Sequence, residues 1–435
     1  MPTRSSFMKR FLPILLFISL AILGGCAGPQ LTSGQVSAPY THLSEELEVG
    51  KILHLPTGRD FTEQELYAYL GTQQVIYVGE SHDSVNDHEV QLKIIAALNE
   101  RFPGKIAVGM EMLRRPFQED ADSWVAGEMD EKEFVRTFSK SWGRYEYYKD
   151  ILAYARDNKI PLLAMNRAKS QMGHGKMKKM VEEAKEGESE MKIPAEMAEA
   201  VEKMKEPPKP YEPELSEDDP YYEEYIGAFF KGHGDGKPEI ARMFIKSQML
   251  WDETMAEMGA KYLDEHPDKK LIVLAGGNHV RYSFGIPRRL FRRHPAPYAI
   301  VSPWVVEYPE EKKAQLMDVD VPELPLRVAD FAWGVGYEDL EEGRILLGIQ
   351  IADSEDPAGV AVLGVVDDSA AAKAGLQEGD VLTSLDGVPL KEVFDLTFEL
   401  SKKEAGGDGI LKIIRDGEEL DLPVGYRTLD HGKDK

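Results

Sequence analysis

The sequence predicts an α/β fold with a mixed or mainly parallel sheet and flanking helices, followed by a small β-rich domain. The first observation is a pair of short, fully apolar strands, at 75–78 and 271–274, each ending in glycine and polar residues. Strands of this kind are buried on both faces, as in parallel sheets. The second is an amphipathic helix at 88–101 followed by a strand at 106–111, which predicts a βαβ unit. The third is a change to short strands and glycine-rich turns after residue 339.

The N-terminus carries Arg4, Lys9 and Arg10, then an apolar run at 11–23, then Cys26. A basic region, a short apolar run and small residues before a cleavage point predict a secretory signal peptide over 1–25. The run is shorter than the roughly 20 residues that span a bilayer. The sequence at 23–26 resembles a bacterial lipobox, which implies that Cys26 carries palmitate or a similar acyl group. We expect a lipid-anchored protein on the periplasmic side of a membrane, with the outer membrane favoured.

The remaining organisation follows from composition. A glycine-, serine- and proline-rich segment at 26–48 predicts a flexible tether. The α/β domain is expected at 49–306, with a helical stretch at 124–156, a charged helical insertion at 169–219 and a basic helix at 287–293. An acidic, proline-rich linker is expected at 307–338, and the β-rich domain at 339–426. The formal charge of −24 argues against nucleic acid as a partner.

Polar side chains follow four of the predicted core strands. In an open parallel sheet, ligands bind beyond the carboxyl ends of the strands, so these residues are expected to form one site. The residues are Glu80 and His82 after the first strand, Glu111 at the end of the next, Asn166 and Arg167 after the third, and Asn278 and His279 after the fourth.

The residue types in this set predict two kinds of chemistry. Glu80, His82, Glu111 and His279 are nitrogen and oxygen donors that suit Zn²⁺, Mn²⁺ or Co²⁺. If Glu80 or Glu111 is not a ligand, it is a candidate general base. Candidates for orienting a substrate or stabilising a developing anion are Asn166, Arg167 and Asn278. The alternative is that the histidines are hydrogen-bonded structural groups.

The motifs resemble those of the ChaN family of haem-binding lipoproteins. They are Gly79-Glu80-Ser81-His82-Asp83 with His88 and Gln91, Gly109-Met110-Glu111-Met112, Trp251-Asp252-Glu253-Thr254-Met255-Ala256, and Gly277-Asn278-His279-Val280-Arg281-Tyr282. The resemblance covers 49–306 and implies that the protein binds haem or an iron ligand for uptake. It further implies that a tyrosine holds the haem, in one arrangement across the interface of a homodimer. It also implies a superfamily shared with the Tiki metalloproteases and erythromycin-esterase-type hydrolases. Candidate haem-binding residues are His82, His279 and Tyr282, with Tyr221, Tyr222 and Tyr225 as further candidates for the tyrosine.

The C-terminal segment resembles a PDZ domain of the bacterial type. The resemblance is carried by the loop before a strand at 346–349, the short helix at 369–376 and the strand–turn unit at 379–387. It implies that the C-terminus of an extracytoplasmic protein binds as an added strand. The expected peptide-binding residues are Leu346, Leu347, Gly348 and Ile349.

Two functions remain open from the sequence. The first is a membrane-anchored lipoprotein that binds haem for uptake and carries a peptide-binding module. The second is a metal-dependent hydrolase, a peptidase or esterase, to which the C-terminal domain recruits substrates. A scaffold without catalytic activity is a third interpretation.

The lipid anchor gives the first testable prediction. Each buried acyl CH₂ contributes about 0.8 kcal/mol to membrane binding, so several chains hold a protein almost permanently. We expect Cys26→Ala to move the protein into the soluble periplasmic fraction, as measured by immunoblotting of fractionated cells. Continued membrane association of the variant would contradict the anchor.

Overall fold

The computed structural model describes residues 47–168, 213–215, 219–232, 238–316, 319, 324, 326–340 and 345–427. The predicted signal peptide, Cys26, most of the tether and nearly all of the charged insertion lie outside these residues. Within them, no helix is both long enough and apolar enough to cross a membrane.

An eight-stranded sheet forms the centre of the larger domain, in the order β2-β1-β8-β7-β3-β6-β4-β5. The strands from β8 to β5 run parallel, and β1 and β2 are antiparallel at one edge. This arrangement confirms the predicted mainly parallel sheet. The strands are β1 (Ile52–His54), β2 (Arg59–Phe61), β3 (Val75–Glu80), β4 (Ile106–Arg114), β5 (Leu162–Asn166), β6 (Lys270–Gly276), β7 (Tyr298–Glu307) and β8 (Phe331–Gly336).

Helices cover both faces of this sheet, and the apolar spacing of the sequence explains their packing. In the second helix Val90, Ile94, Ile95 and Leu98 are all buried on one side. The helices are α1 (Glu63–Leu70), α2 (Val85–Arg101), α3 (Gln118–Ala126), α4 (Glu131–Ser141), α5 (Tyr145–Asp157), α6 (Pro220–Gly232), α7 (Pro238–Glu265), α8 (Gly277–Val280), α9 (Ile286–Arg293) and α10 (Glu310–Lys313).

Two expectations need correction. The predicted linker at 307–338 contains β8, which lies between β1 and β7, so the larger domain extends past residue 306. The sequence concealed this strand because it follows an acidic, proline-rich segment. The expected single helical stretch at 124–156 is divided into α3, α4 and α5. Gly127 causes the first break, since it caps α3 in a left-handed conformation.

The C-terminal domain is an antiparallel sheet with two helices. It confirms the predicted β-rich fold and the short helix expected at 369–376, while its second helix was not predicted. Its strands run in the order β14-β13-β11-β10-β9, and β12 pairs with β11. Its elements are β9 (Ile349–Glu355), β10 (Ala358–Val365), α11 (Ala370–Ala374), β11 (Val381–Leu385), β12 (Val388–Pro389), α12 (Val393–Ser401), β13 (Asp408–Arg415) and β14 (Glu418–Gly425).

The two domains contact each other through α4 and α12. Arg136 forms an ion pair with Glu392, and Lys132 Nζ lies 2.8 Å from Asp395 Oδ1. The Arg136 guanidinium lies 4.4 Å from the ring centroid of Phe394. Phe398 belongs to the apolar core of the larger domain. One side of α12 is therefore fixed against the larger domain.

Candidate functional site

Three neighbouring strands bring the predicted site residues together. β3 pairs with β6 in a register that places Glu80 beside Gly276, and β6 pairs with β4 on its other side. Glu80 and His82 lie at the end of β3, His279 follows β6, and Glu111 lies near the end of β4. The sheet order therefore assembles four residues that are up to 200 positions apart, as the strand-end argument predicts.

The Glu80 carboxylate is a buried hub. Its Oε1 accepts a hydrogen bond from Tyr148 Oη at 2.8 Å and lies 2.5 Å from His82 Nδ1. Its Oε2 accepts a hydrogen bond from Gln91 Nε2 at 2.8 Å and lies 3.1 Å from His88 Nε2. Both oxygens are engaged, so the predicted role of Glu80 as a metal ligand or general base is not supported. Glu80 instead orients the imidazole of His82.

His82 faces the centre of the cluster. Its ring packs edge-on against Trp142 at 4.9 Å, and Glu80 fixes its Nδ1. A Cβ atom placed on Gly276 would lie 3.0 Å from His82 Nε2 and 3.5 Å from Glu111 Oε2. Glycine at 276 therefore allows the strand end to approach both side chains closely.

His279 repeats the carboxylate–imidazole arrangement. Its Nδ1 lies 2.7 Å from Asp252 Oδ1, and Asp252 Oδ2 accepts a hydrogen bond from Tyr222 Oη at 2.7 Å. His279 Nε2 lies 3.5 Å from Glu111 Oε1, while Glu111 Oε2 accepts the Gly276 N–H at 2.8 Å. Glu111 thus lies between the two imidazoles, each oriented from behind by its own carboxylate.

The carboxylates control the protonation of this cluster. Burial alone would lower the pKa of His82, but the hydrogen bond and charge of Glu80, with the charge of Glu111, raise it to about 9. Burial opposes protonation of His279 in the same way, but Glu111 and Asp252 raise its pKa to about 9. Burial would raise the pKa of Glu80, and His88 and His82 hold it well below its usual range. Both site histidines are therefore cationic at neutral pH.

The predicted divalent-metal site finds no support in this arrangement. In the part of the chain that the structure describes, no group of three or more His, Cys, Asp or Glu side chains is placed to hold a metal ion. Both Glu80 oxygens are engaged by neighbouring side chains, and one ring nitrogen of each histidine faces a carboxylate, Glu80 for His82 and Asp252 for His279.

The amide and guanidinium candidates are dispersed. Asn166 is fully buried at the end of β5, where its Oδ1 accepts the Arg167 N–H at 2.8 Å. The Arg167 carbonyl accepts a hydrogen bond from Arg114 Nη1. Asn278 lies on the other side, where its Oδ1 accepts a hydrogen bond from Tyr225 Oη at 3.2 Å. The predicted roles of these residues in orienting a substrate stay predictions.

Residues that follow His279 in the sequence line an open pocket of about 370 Å³. Aromatic rings and two arginines dominate its walls. The lining residues are Tyr282, Ser283, Phe284, Arg288, Phe291, Arg292 and Tyr298. Of the three predicted haem-binding residues, Tyr282 lines this pocket and His82 and His279 do not.

Tyr282 adopts a strained backbone conformation at the pocket. Its φ is 55°, a left-handed value that costs a residue with a Cβ of order 1–3 kcal/mol and is found at ligand clamps. Its N–H donates to the Val328 carbonyl at 2.9 Å, and its ring stacks against Phe284 at 5.7 Å. The fold therefore holds this phenol in one position.

One residue joins the pocket to the strand-end cluster. The Tyr225 ring packs edge-on against Tyr282 at 5.3 Å, and its hydroxyl binds Asn278, the neighbour of His279. Tyr222, one helical turn earlier, binds Asp252. Helix α6 therefore contacts both the polar cluster and the pocket. The tyrosine candidates Tyr222 and Tyr225 are buried here, and Tyr221 is exposed.

Several functional residues were missed from the sequence. Trp142 and Tyr148 gave no signal because they lie in a run of aromatic residues typical of a helical core. Arg288 and Arg292 were noted only as part of a basic helix. Asp252 offered a usable signal, since a carboxylate within the buried face of a long helix requires a partner.

The chain is similar to known proteins in both domains. Residues 66–290 match the family described as "Haem-binding uptake, Tiki superfamily, ChaN", and residues 346–425 match the PDZ domain. A solved structure described as "Cofacial heme binding to ChaN of Campylobacter jejuni" is 17% identical with a TM-score of 0.44, covering 65% of this chain and 95% of that chain.

Curated relatives match a much shorter stretch. A "Probable periplasmic serine endoprotease DegP-like" of Pseudomonas fluorescens is 44% identical over 73 residues, which cover 16% of this chain and 15% of the relative. The "Periplasmic pH-dependent serine endoprotease DegQ" of Escherichia coli is 38% identical over 72 residues, covering 17% and 15%. This chain therefore spans about 15% of the length of these two relatives.

The Glu80 hub predicts a large loss of stability on substitution. We expect Glu80→Gln to lower the free energy of unfolding by about 2–4 kcal/mol, because it leaves buried imidazoles without their charge partner. Urea denaturation measures the change. The matched control is Glu89→Gln on the exposed side of α2, where we expect about 0.5 kcal/mol or less. Equal effects of the two substitutions would contradict the hub.

The cationic histidines predict a pH dependence. Their pKa values rise from 6.5 when unfolded to about 9 when folded, so the stabilisation is complete below pH 6.5 and is lost as the pH rises through 9. We expect the melting temperature to fall between pH 6.5 and 9. His279→Gln should flatten this fall more than His82→Gln, since the His82 side chain is 37% exposed and its charge is screened. An unchanged slope in His279→Gln would contradict the assignment.

Proposed function

This chain belongs to the ChaN haem-binding uptake family of the Tiki superfamily, and from that premise we propose that it binds haem at the Tyr282 pocket for uptake. The observation that carries the proposal is the joint presence in that pocket of a fixed tyrosine, aromatic surfaces and two arginines. The family match covers 66–290, which includes the strand-end cluster and most of the pocket.

The apolar walls of the pocket suit a flat aromatic ligand. Phe284 and Phe291 contribute ring surface, and the Phe291 ring lies 6.0 Å from that of Tyr298. Phe291 is 45% exposed. A porphyrin that covers this ring would remove apolar surface from water.

The two arginines suit the carboxylates of such a ligand. Arg288 and Arg292 occupy successive turns of α9, so both side chains project on one side of the helix. Each is 40% exposed, and each also faces a buried carboxylate, Asp219 for Arg288 and Glu253 for Arg292. These carboxylates hold the guanidiniums in place, and the charge of the two guanidiniums suits propionate groups.

Tyr282 is the best-placed candidate for an iron ligand. Its phenol makes no hydrogen bond to another residue that the structure describes, whereas Tyr298 donates to Ser283 at 3.2 Å. Burial raises the pKa of Tyr282, and the Arg281 charge opposes this rise. Haem, when bound, would supply a Lewis-acidic iron, and a tyrosine oxygen is a suitable ligand for it. Tyr282 would be the residue that offers this oxygen, and its strained backbone holds the side chain in position.

The strand-end cluster has a supporting role in this proposal. Asp252 and Tyr222 fix His279, and Asn278 fixes Tyr225 against Tyr282. These contacts set the position of the turn that leads from β6 to the pocket. The alternative function is a metal-dependent hydrolase that uses Glu80, His82, Glu111 and His279. No observation supports it, because no group of three or more described His, Cys, Asp or Glu side chains is placed to hold a metal ion.

We propose the cellular setting from the sequence and the domain matches. Acylation at Cys26 would anchor the protein on the periplasmic side of a membrane, with the outer membrane favoured. The PDZ domain would recruit an extracytoplasmic protein by its C-terminus. A homodimer, which would cover the open side of the pocket, is part of the same proposal.

The haem site is tested by titrating hemin into the full chain in detergent and following the Soret band. We expect Tyr282→Phe to shift the band and to weaken binding, because the iron loses its oxygen ligand. We expect Arg288→Ala/Arg292→Ala to weaken binding roughly tenfold with no change in band position, because charge-assisted hydrogen bonds are lost. His82→Ala is the matched control and should keep both the band and the affinity. A band that survives Tyr282→Phe but disappears in His279→Ala would contradict the Tyr282 site.

A further inference from the structure

The PDZ domain has an acidic patch at one end of its edge strand, Asp353 and Glu355. From this patch we infer that the domain selects C-terminal peptides with an apolar last residue and a lysine or arginine four positions before it. The inference rests on the proposed peptide recognition and specifies the partner of that site. It concerns the groove between β9 and α12, where β9 is the edge strand and pairs with only one of the strands that the structure describes.

The alternation of side chains along β9 determines what a bound peptide meets. Ile349 and Ile351 pack against the core of the domain. Asp353 points the same way, since its Oδ1 accepts the N–H of Val393 at the start of α12 at 2.7 Å. Glu355, two residues later, lies on the same face of the strand and is exposed. The groove side of β9 is therefore apolar in its first half and acidic in its second half.

The loop before β9 fixes the direction and register of the peptide. The N–H groups of Leu347 and Gly348 make no backbone hydrogen bond within the part of the chain that the structure describes. Gly348 has a φ of 77°, a left-handed conformation that glycine adopts readily, and a Cβ placed there would clash with Ser369 Cβ. Such N–H groups bind a terminal carboxylate. The last peptide residue then lies beside Ile349, where Leu347 and Leu400 also contribute to the apolar core.

Strand geometry then places the upstream residues. An antiparallel peptide whose last residue lies beside Ile349 places its third-last residue beside Ile351 and its fifth-last residue beside Asp353. A lysine or arginine at that fifth-last position, four before the end, has Asp353 opposite and Glu355 diagonally adjacent. The aliphatic part of that lysine or arginine side chain packs over the edge strand, and its charged group lies near the two carboxylates.

Neighbouring charges do not cancel the acidic patch. Glu392, which precedes α12, adds a third carboxylate, and it pairs with Arg136 of the larger domain. Lys132 pairs with Asp395 on the side of α12 that packs against the larger domain. At the far end of α12, Lys402 pairs with Glu399 and Lys403 pairs with Asp386. These described lysines and arginines are thus each engaged with a carboxylate other than Asp353 and Glu355.

The contact between the domains fixes one wall of the groove. Helix α12 forms that wall, and it is held by the Arg136 and Lys132 ion pairs and by burial of Phe398. A wall fixed in this way loses little conformational entropy when a peptide binds, which favours recognition by a few side chains.

The test uses an array of synthetic peptides with free C-termini in which the last six positions are varied, probed with the full chain in detergent. We expect the bound peptides to end in an aliphatic residue and to be enriched in lysine or arginine four positions earlier. For the best peptide, we expect replacement of that lysine by glutamate to weaken binding at least threefold in low salt and less in 0.5 M salt.

Matched variants separate this inference from peptide binding itself. Asp353→Asn/Glu355→Gln should remove the preference for lysine, Glu355→Lys should reverse it toward glutamate, and the exposed control Glu418→Gln should leave it unchanged. Peptides that bind with no charge preference at that position would overturn the inference and leave peptide recognition intact. An array with no bound peptide would instead overturn the proposed peptide recognition.

Discussion

The buried carboxylate of Glu80 is the interaction on which the arrangement of the site depends. It receives a hydrogen bond from Gln91 of α2 and another from Tyr148 of α5, and it fixes the Nδ1 of His82. One side chain therefore ties two helices and the β3 turn to the end of the sheet. A buried charge persists only with such partners, so every element that supplies one is held in register with the others. The second carboxylate, Asp252, does the same for His279 and α6.

The sequence predicted what local patterns encode. Strands β3 and β6 are short apolar runs, and the order of parallel strands follows rules that place their ends together, so Glu80, His82, Glu111 and His279 could be grouped in advance. Their individual roles could not be predicted, because the availability of the Glu80 carboxylate for a metal depends on its hydrogen-bond partners in α2 and α5. The pocket could not be predicted from the sequence for a related reason. Tyr282 matters through a left-handed backbone and Arg288 through a helix face, and neither is visible without the fold.

The structure separates a rigid polar cluster from an open aromatic pocket. The cluster is buried and internally paired, which suits it to hold a turn in place. The pocket exposes Phe291 and two arginines, which suits it to receive a flat anionic ligand. Tyr225 connects the two regions through Asn278 and Tyr282. A second physical connection runs from the PDZ domain through α4 to Trp142, whose ring packs against His82. The pocket, the polar cluster and the PDZ domain are therefore linked through contacts of the same helices.

The measurement that tests the central claim most directly is the resonance Raman spectrum of the ferric haem complex, recorded on protein with natural and with ring-deuterated tyrosine. Tyrosinate ligation at Tyr282 predicts phenolate vibrations that shift with the isotope and that are absent in Tyr282→Phe. A spectrum without isotope-sensitive phenolate bands, or with bands that persist in Tyr282→Phe, would contradict the assignment of the pocket as the haem site.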